Sequence, residues 1–306
     1  MTFKFTLEYP SDVPTASPEF RDPTVMRAIA HQAQALGFEA IALADHPAPS
    51  AKWRRGGGHN TFEPAVALAF FAAATTTIRL MTHLYVLPFR NPYLTAKTLT
   101  SLDIVSGGRL IAGVGAGYLR SEFAALGVDF DARVQLFNES LAALRRIWTH
   151  PEEPISGTNF AATGEMNLDG PIQKPHPPLW IGGNSVATLR RVVEHGSGWS
   201  AVVAPASMAS SVRTAAIEGV EDFSRAVDRL REMLTASGRD PNSVHIQVAA
   251  PAVDFDDAAA VSVLDQYVSA MARAGATRIL AHADASSATA AETYLTRFAE
   301  HFGMTA

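Results

Sequence analysis

Apolar and polar residues follow one another along this chain in two alternating patterns, one typical of strands and one typical of helices. Ile78 to Leu87 is rich in apolar and β-branched residues and stops at Pro88, which predicts a buried strand. Asn91 suits the N-cap of a following helix, and Pro92 suits its first position. Arg109 to Val114 is a second apolar run and predicts another strand.

The helix between these strands is predicted to end at Ser106-Gly107-Gly108. Its apolar positions recur at helical spacing, at Leu94, Thr98, Leu99, Leu102 and Val105. A strand, a helix and a strand joined by short links predict two parallel strands with a right-handed crossover. In such a sheet the functional residues lie at the carboxyl ends of the strands.

About eight strands alternate with about eight helices over the 306 residues, which predicts an α/β protein and, at this length, a (β/α)8 TIM barrel. A doubly wound parallel sheet is the main alternative. The fourth long helix, Arg133 to Trp148, has one apolar face, formed by Val134, Phe137, Leu141, Leu144 and Trp148. Pro151 to Pro178 is rich in Pro, Gly, Asn and Thr and predicts an inserted excursion with a hairpin after that helix. Residues 1–306 show no linker, so we expect a single domain.

The composition excludes several classes of protein. The chain is 47% hydrophobic and 18% charged, with a net charge of −5 and no basic run, so neither nucleic acid nor a membrane surface is expected as the main partner. Cysteine is absent, which rules out disulfides and thiolate chemistry and is consistent with a cytoplasmic protein. No apolar run approaches the roughly 20 residues of a membrane span, and no signal peptide is expected.

Two glycine-rich segments follow predicted strands. Gly182-Gly183-Asn184-Ser185 opens a helix, where free amides, the helix dipole and the Ser185 hydroxyl favour a phosphate. The alternative is a simple glycine turn in which Asn184 or Ser185 caps the helix. Gly113-Val114-Gly115-Ala116-Gly117 departs from the dinucleotide-binding fingerprint, and either a close approach of the backbone to a ligand or a tight turn explains it.

Three ionisable residues lie within predicted strands or directly after them. The Asp45-His46 pair follows the second strand, where it either tunes a general acid or base or simply caps the loop. His83 lies within the third strand, where an imidazole that faces a barrel needs a partner. The sequence has neither the histidine spacing of a zinc site nor a GxSxG motif, so no metal is expected.

Three segments together resemble the bacterial luciferase-like monooxygenase superfamily. They run from Gly37 to His46, from Ile78 to Tyr118 and from Lys174 to Trp199, and their order and spacing also match. Within the superfamily, an Asp-His pair after the second strand is similar to the branch that uses the deazaflavin coenzyme F420 rather than FMN. The resemblance implies a (β/α)8 barrel enzyme that acts on a small-molecule substrate and forms a homodimer.

The resemblance also implies roles for individual residues. In F420-using relatives, a bulge in the third strand carries a non-prolyl cis peptide that supports the central ring, and its position here would be His83-Leu84. Asp45 and His46 would lie beside the ring, with His46 as the proton donor or ring-orienting residue. The further residues expected to flank the cofactor or to hold its phosphate are Thr82, Gly115, Gly117, Tyr118, Gly182, Gly183, Asn184 and Ser185.

We therefore predict an F420-dependent oxidoreductase that transfers a hydride between C5 of the deazaflavin and a small organic substrate. One alternative is an FMN-dependent monooxygenase that uses reduced flavin and oxygen, and another is a non-catalytic flavin-binding barrel. Relatives that oxidise glucose 6-phosphate have a glutamate at the position of Tyr118 and a tryptophan near Ser50, so that activity is not carried over. The loop from Lys52 to Asn60, with three basic residues and a glycine run, is predicted to be a flap that orders on ligand binding, or else a solvated loop.

Overall fold

Residues 3–305, which the computed structural model describes, form an α/β structure with ten strands. The strands are β1 (Lys4–Glu8), β2 (Ala40–Leu43), β3 (Arg79–Val86), β4 (Leu110–Gly115), β5 (Ser156–Gly157), β6 (Phe160–Ala161), β7 (Leu179–Gly182), β8 (Gly198–Ser200), β9 (His245–Ala249) and β10 (Arg278–His282). Eight of them close a barrel in the order β1-β10-β9-β8-β7-β4-β3-β2, and every neighbouring pair is parallel. The predicted TIM barrel is therefore confirmed, and the alternative of an open, doubly wound sheet is wrong.

The same residues form eleven α-helices that surround the barrel. They are α1 (Pro23–Ala35), α2 (Ala51–Arg55), α3 (Pro64–Ala74), α4 (Pro92–Val105), α5 (Arg120–Ala125), α6 (Arg133–Thr149), α7 (Val186–His195), α8 (Ala206–Ser211), α9 (Val220–Ala236), α10 (Ala258–Arg273) and α11 (Ala288–His301). The ends of α4 lie where its sequence predicts. Asn91 caps the helix by accepting a hydrogen bond from the Tyr93 amide, and Gly107 and Gly108 follow its end with φ of 68° and 82°.

The inside of the barrel is packed with side chains. This inner core is formed by Ala40, Ala42, Met81, Ile111, Trp180 and Leu280. Trp180 is the largest of these side chains and is fully buried. Gly198 pairs with Trp180 on the neighbouring strand, and a Cβ at Gly198 would lie 2.3 Å from the Trp180 ring. Glycine at that position therefore makes room for the tryptophan that fills the barrel.

Some apolar positions of the predicted helix faces lie outside the core. Val134 on α6 is 45% exposed, and Leu94 and Val105 on α4 are 67% and 60% exposed. Instead, α6 buries Leu136 together with Phe137. The helical period was predicted correctly, but a stripe of apolar residues does not show which of its edges will meet the barrel.

The two irregular segments contain short elements. The excursion at 151–178 includes an antiparallel hairpin, in which Ser156 pairs with Ala161 in β5 and β6, so that prediction is confirmed. The segment from Pro49 to Asn60 is not only a loop, because it contains α2, whose N-cap is the Ser50 hydroxyl. A helix of five residues is too short to produce a periodic pattern, which explains why the sequence predicted a loop.

The third barrel strand carries the irregularity that the resemblance implies. The register of β3 with β4 shifts between Thr82 and Tyr85, and the peptide bond between His83 and Leu84 is cis. Thr82 Oγ1 donates a hydrogen bond to the Gly113 carbonyl (2.8 Å). The predicted position of the cis bond is confirmed, whereas the role of this segment in cofactor binding remains a prediction.

Candidate active site

Ionisable side chains gather where the barrel strands end. Glu8 is the last residue of β1, His282 is the last residue of β10, and Asp45-His46 follows β2. Because all eight barrel strands are parallel, these ends lie at one opening of the barrel. TIM-barrel enzymes have their active sites at this opening, so it is the candidate site here.

His46 is held by polar neighbours on both sides of its ring. Its Nδ1 lies 3.1 Å from Glu122 Oε2, and its Nε2 lies 3.4 Å from the Tyr118 hydroxyl. A carboxylate only accepts hydrogen bonds, so Nδ1 carries a proton and Nε2 is left to exchange one. Burial, followed by the negative charge of Glu122, raises the pKa of Tyr118 to about 12, so its hydroxyl stays protonated at neutral pH.

Two rings from the segment between β2 and α3 cover His46. The Trp53 and His59 rings lie 4.6 Å and 5.2 Å from the His46 ring, measured between centroids. A Cβ at Gly58 would lie 2.3 Å from the Trp53 ring, so this packing requires glycine at position 58. Burial, followed by the charge of His46, lowers the pKa of His59 to about 4, so His59 is neutral at neutral pH.

A second polar cluster joins β1, β3, β8 and β10. Glu8 Oε2 lies 2.8 Å from His282 Nδ1, and Glu8 Oε1 lies 3.6 Å from His83 Nδ1. His83 Nε2 lies 2.8 Å from Ser200 Oγ, so the imidazole within β3 has the partner that its position requires. Burial opposes charge on His282, but the hydrogen bond and the charge of Glu8 outweigh burial and raise the pKa of His282. Burial also opposes charge on Glu8, yet the two histidines lower its pKa well below the usual range.

Asp45 is buried and fully engaged by the protein. Its carboxylate accepts hydrogen bonds from Arg90 Nη1 (2.6 Å) and Nη2 (2.9 Å) and from the Val86 amide (2.8 Å). The Arg90 guanidinium also lies over the Tyr85 ring, 3.9 Å from its centroid. Asp45 therefore joins β2 to the end of β3, and a catalytic role for it remains a prediction.

Leu84 occupies the space between two strand ends. A Cβ at Gly115 would lie 3.3 Å from the Leu84 side chain, and a Cβ at Gly182 would lie 1.9 Å from it. Glycine at both positions therefore makes room for Leu84. Contact with this side chain explains the two glycines, in addition to the ligand contact and the tight turn that the sequence left open. Gly117 has a φ of 75°, so the tight turn also occurs two residues further on.

Internal hydrogen bonds shape the segment from Gly182 to Ser185. Ser185 caps α7, because its hydroxyl accepts an amide hydrogen bond from the first turn of the helix (3.0 Å). The Asn184 side chain donates to the carbonyls of Val202 and Ala215 and accepts from the Val202 amide. Ser185 therefore acts as a helix cap, which was one of the two alternatives for this segment. The groups that remain available to bind an anion here are the amides at the start of α7.

The structure adds residues that the sequence did not single out. These are Glu8, Trp53, His59, Arg90, Glu122, Ser200 and His282. Glu8 and His282 had a usable signal, because each is an ionisable residue at the last position of a barrel strand. Trp53 and Glu122 had none, because they lie on short helices whose placement depends on tertiary packing. Trp53 and Glu122 place a tryptophan and a glutamate beside His46. In relatives that oxidise glucose 6-phosphate, these two residue types lie near the position of Ser50 and at the position of Tyr118.

Three other features of the described structure bear on binding. In residues 3–305, no group of three or more His, Cys, Asp or Glu side chains is arranged to hold a metal ion. None of the helices in that range has the length and apolar character needed to span a bilayer. A cavity of about 140 Å³ opens beside Thr61, whose hydroxyl accepts a hydrogen bond from the His46 amide (3.1 Å).

Comparison with known proteins identifies the family. The model of the luciferase-like monooxygenase family matches residues 1–302, so the chain belongs to that family. An F420-dependent glucose-6-phosphate dehydrogenase from Gordonia bronchialis is 29% identical over 238 residues, which cover 74% of this chain and 68% of that protein. An FMNH(2)-dependent dimethylsulfone monooxygenase from Pseudomonas putida is 30% identical over 146 residues, which cover 47% of this chain and 40% of that protein.

A solved structure supports the fold independently. The monooxygenase RslO1 from Streptomyces bottropensis matches with a TM-score of 0.77 and 23% identity, over 97% of this chain and 98% of that one. The predicted family and barrel are therefore confirmed. The relatives also confirm the predicted enzyme class, an oxidoreductase or monooxygenase.

Proposed function

We propose that this enzyme is an F420-dependent oxidoreductase that transfers a hydride between the deazaflavin and a small organic substrate. The observation that carries the proposal is the arrangement of His46, whose Nδ1 is held by Glu122 and whose Nε2 faces the Tyr118 hydroxyl. Hydride transfer from a carbon that bears a hydroxyl requires removal of the hydroxyl proton, and the reverse transfer requires its return; Nε2 of His46 is placed to accept that proton and to give it back. The F420-dependent relative, which aligns over 74% of the chain, supports the choice of cofactor.

The residues at the strand ends fit a flat ring with an anionic group. The half-buried Leu84 side chain covers the backbones of Gly115 and Gly182, so it offers an apolar surface on which a planar group can pack. His83 is half-buried beside Leu84, with Nδ1 facing the Glu8 carboxylate (3.6 Å) and Nε2 facing Ser200 Oγ (2.8 Å), so its ring is held in a fixed position at the strand ends. The amides at the start of α7, together with the helix dipole, suit a phosphate.

When bound, the cofactor supplies the hydride chemistry. The chain moves the proton, because Glu122 keeps Nδ1 of His46 protonated and leaves Nε2 to take a proton from a substrate hydroxyl or to return it in the reverse direction. The Glu122 carboxylate stabilises the imidazolium that results. The Tyr118 hydroxyl, which is protonated at neutral pH, donates a hydrogen bond to the substrate oxygen. Trp53 covers the imidazole and limits its contact with water.

Titration of the purified protein with F420 and, separately, with FMN tests the choice of cofactor. We expect saturable binding of F420 and weak binding of FMN. Tight binding of FMN with none of F420 would overturn the proposal in favour of the FMN-dependent monooxygenase, which the relative from Pseudomonas putida supports. Consumption of oxygen with reduced FMN and a hydroxylated product would then identify that activity.

Replacing His46 tests the proton step separately from binding. His46→Ala is expected to lower turnover of a substrate found in a broad panel by about 10²- to 10⁴-fold, with F420 binding retained. His31→Ala, at an exposed histidine of α1, is the matched control and should change neither quantity. Unchanged turnover in His46→Ala would move the chemistry to another residue. F420 binding without turnover across the panel would favour the non-catalytic barrel.

We also propose that the enzyme works as a cytoplasmic homodimer. The absence of cysteine is consistent with the cytoplasm. The whole sequence of α3 is apolar, and Val66 on this helix is 71% exposed. Leu94 on α4, which packs beside α3, is 67% exposed. A helix that is apolar on all sides is normally covered, and a second copy of the chain is the occupant that the family resemblance implies.

A further inference from the structure

Three arginine side chains surround the ring of Phe130. The guanidinium carbons of Arg120, Arg133 and Arg213 lie 4.2, 4.0 and 5.1 Å from the centroid of this ring. Phe130 is buried and packs edge to face on Phe123 of α5, with the ring centroids 5.1 Å apart. The three side chains, referred to below as the arginine cluster, are therefore held around a fixed aromatic support.

The arginine cluster carries more positive charge than its neighbours neutralise. Arg120 pairs with Asp131 (Nη2–Oδ1 2.8 Å), whereas neither Arg133 nor Arg213 forms an ion pair with any residue in the 3–305 range. Arg133 donates to the Phe130 carbonyl (3.0 Å). Burial, followed by the positive charge of Arg213, lowers the pKa of Arg133. Like charges that are packed together and unpaired favour the binding of an anion.

Arg213 links the arginine cluster to both glycine segments of the candidate site. Its Nε donates a hydrogen bond to the Tyr118 carbonyl (3.1 Å), just beyond β4. The next residue, Thr214, accepts a hydrogen bond from the Asn184 amide through its hydroxyl (2.7 Å), just beyond β7. The cluster therefore lies at the same end of the barrel as His46 and next to the start of α7.

The backbone of Arg213 indicates that its side chain matters. Its φ is 56°, and it is the only non-glycine residue with a positive φ in the part of the chain that the structure describes. Glycine is the residue that adopts this conformation without strain. Strained backbone of this kind concentrates at functional sites, where a particular side chain must be presented.

We propose that the arginine cluster is the binding subsite for the glutamate carboxylates that follow the phosphate in the acidic tail of the cofactor, while the amides at the start of α7 hold the phosphate itself. This inference rests on the proposed F420-dependent function. Guanidinium groups bind phosphate and carboxylate oxygens through paired N–H donors, so three unpaired or partly paired arginines suit several anionic groups in succession. FMN ends in a single phosphate, so the cluster also favours F420 over FMN.

Binding measured by deazaflavin fluorescence separates the ring from the tail. The ligands are F420 with several glutamates, F420 with one glutamate, and the ribityl deazaflavin that lacks phosphate and tail. The wild-type protein should bind the long-tailed form most tightly. Added salt should weaken that binding more than the binding of the tail-less form, because screening acts on the charged contacts.

Arg213→Gly is the most informative variant, because glycine tolerates the observed φ and the fold is retained. We expect it to weaken the binding of long-tailed F420 about tenfold and to leave the binding of the tail-less deazaflavin unchanged. Arg213→Lys keeps the charge and should recover part of the loss. Arg225→Ala, at an exposed arginine of α9 that pairs with Asp222, is the matched control and should have no effect.

The outcomes distinguish this subsite from the proposed function. Equal affinity of the wild-type protein for tailed and tail-less deazaflavin would overturn the subsite and leave the proposed function intact. An equal loss of affinity for both ligands in Arg213→Gly would also overturn it, because the effect would then be structural. If no deazaflavin binds, the proposed function fails and the subsite fails with it.

Discussion

At the residue scale, Asp45 shows how a residue that looks catalytic in the sequence is used by the fold. Its two oxygens accept three hydrogen bonds, two from Arg90 and one from the Val86 amide. A carboxylate that is engaged in this way has little capacity left for a substrate. Its neighbour His46 has one ring nitrogen fixed by Glu122 and the other directed to Tyr118, so the proposed proton transfer rests on His46, whereas Asp45 holds the fold together.

Removal of Arg90 tests the structural role of Asp45. Arg90→Ala leaves the Asp45 carboxylate buried without a counter-charge, and we expect the free energy of unfolding to fall by about 3–5 kcal/mol. Chemical denaturation measures this loss. Asp45→Asn, which keeps an acceptor for the Val86 amide, should cost less. A catalytic Asp45 predicts the reverse, with turnover lost in Asp45→Asn while stability is unchanged.

Asp12 predicts a pH dependence of stability. Burial, followed by the negative charge of Glu8, raises the pKa of Asp12 from 3.8 to about 8. Between these values the folded protein keeps a proton that the unfolded chain has lost, so the contribution of Asp12 to stability falls as pH rises through this window. Its carboxyl accepts hydrogen bonds from the Ala44 amide and the Ser11 hydroxyl, and Asp12→Asn retains an oxygen acceptor without the titration.

Denaturation at several pH values compares Asp12→Asn with the wild-type protein. From about pH 5 to pH 8, we expect the wild-type free energy of unfolding to fall by at least about 1 kcal/mol more than that of the variant, since one pKa unit corresponds to about 1.4 kcal/mol. Parallel curves for the two proteins would contradict the raised pKa.

At the scale of elements, the pairing of β3 with β4 is the most constrained contact near the site. A Cβ at Gly113 would lie 2.1 Å from the Thr82 carbonyl oxygen, which belongs to the backbone and cannot rotate away. Gly115 and Gly182 in turn make room for Leu84. Glycines in two neighbouring strands therefore accommodate the irregular part of β3.

Gly113→Ala tests this requirement. We expect a loss of about 1–3 kcal/mol in the free energy of unfolding, because the inserted methyl group forces one strand away from the other. Thermal and chemical denaturation measure it. Gly164→Ala, in the excursion, is the matched control, because no atom lies within 4 Å of its added Cβ. Equal stabilities of the two variants would show that β4 can shift freely.

At the scale of the whole molecule, the exposed apolar surface of α3 and α4 predicts self-association. Val66→Glu introduces a charge that costs free energy when it is buried against a second copy, and we expect the protein to become a monomer. Sedimentation velocity measures the change. Val263→Glu on α10, where the side chain is 59% exposed, is the control and should leave the dimer intact. A wild-type monomer at micromolar concentration would contradict the proposed homodimer.

The helices, the strands and their order were predictable because their signals are local. Periodicity, the Asn91 cap and the glycines after α4 depend only on neighbours in the chain. The alternation of strand and helix then limits the fold to a few architectures, and the length favours the barrel. The motifs between Ile78 and Tyr118 and around Gly182 were sufficient to indicate the family, which the match over residues 1–302 confirms.

The composition of the candidate site was decided by the tertiary structure, because its contacts join residues far apart in the chain. Closure of the barrel brings Glu8 on β1 to His282 on β10, and the packing of α5 brings Glu122 to His46. The arginine cluster likewise forms only when the end of α8 meets the start of α6 around Phe130. A periodic sequence determines which faces are apolar, but only the closed barrel determines which polar residues meet.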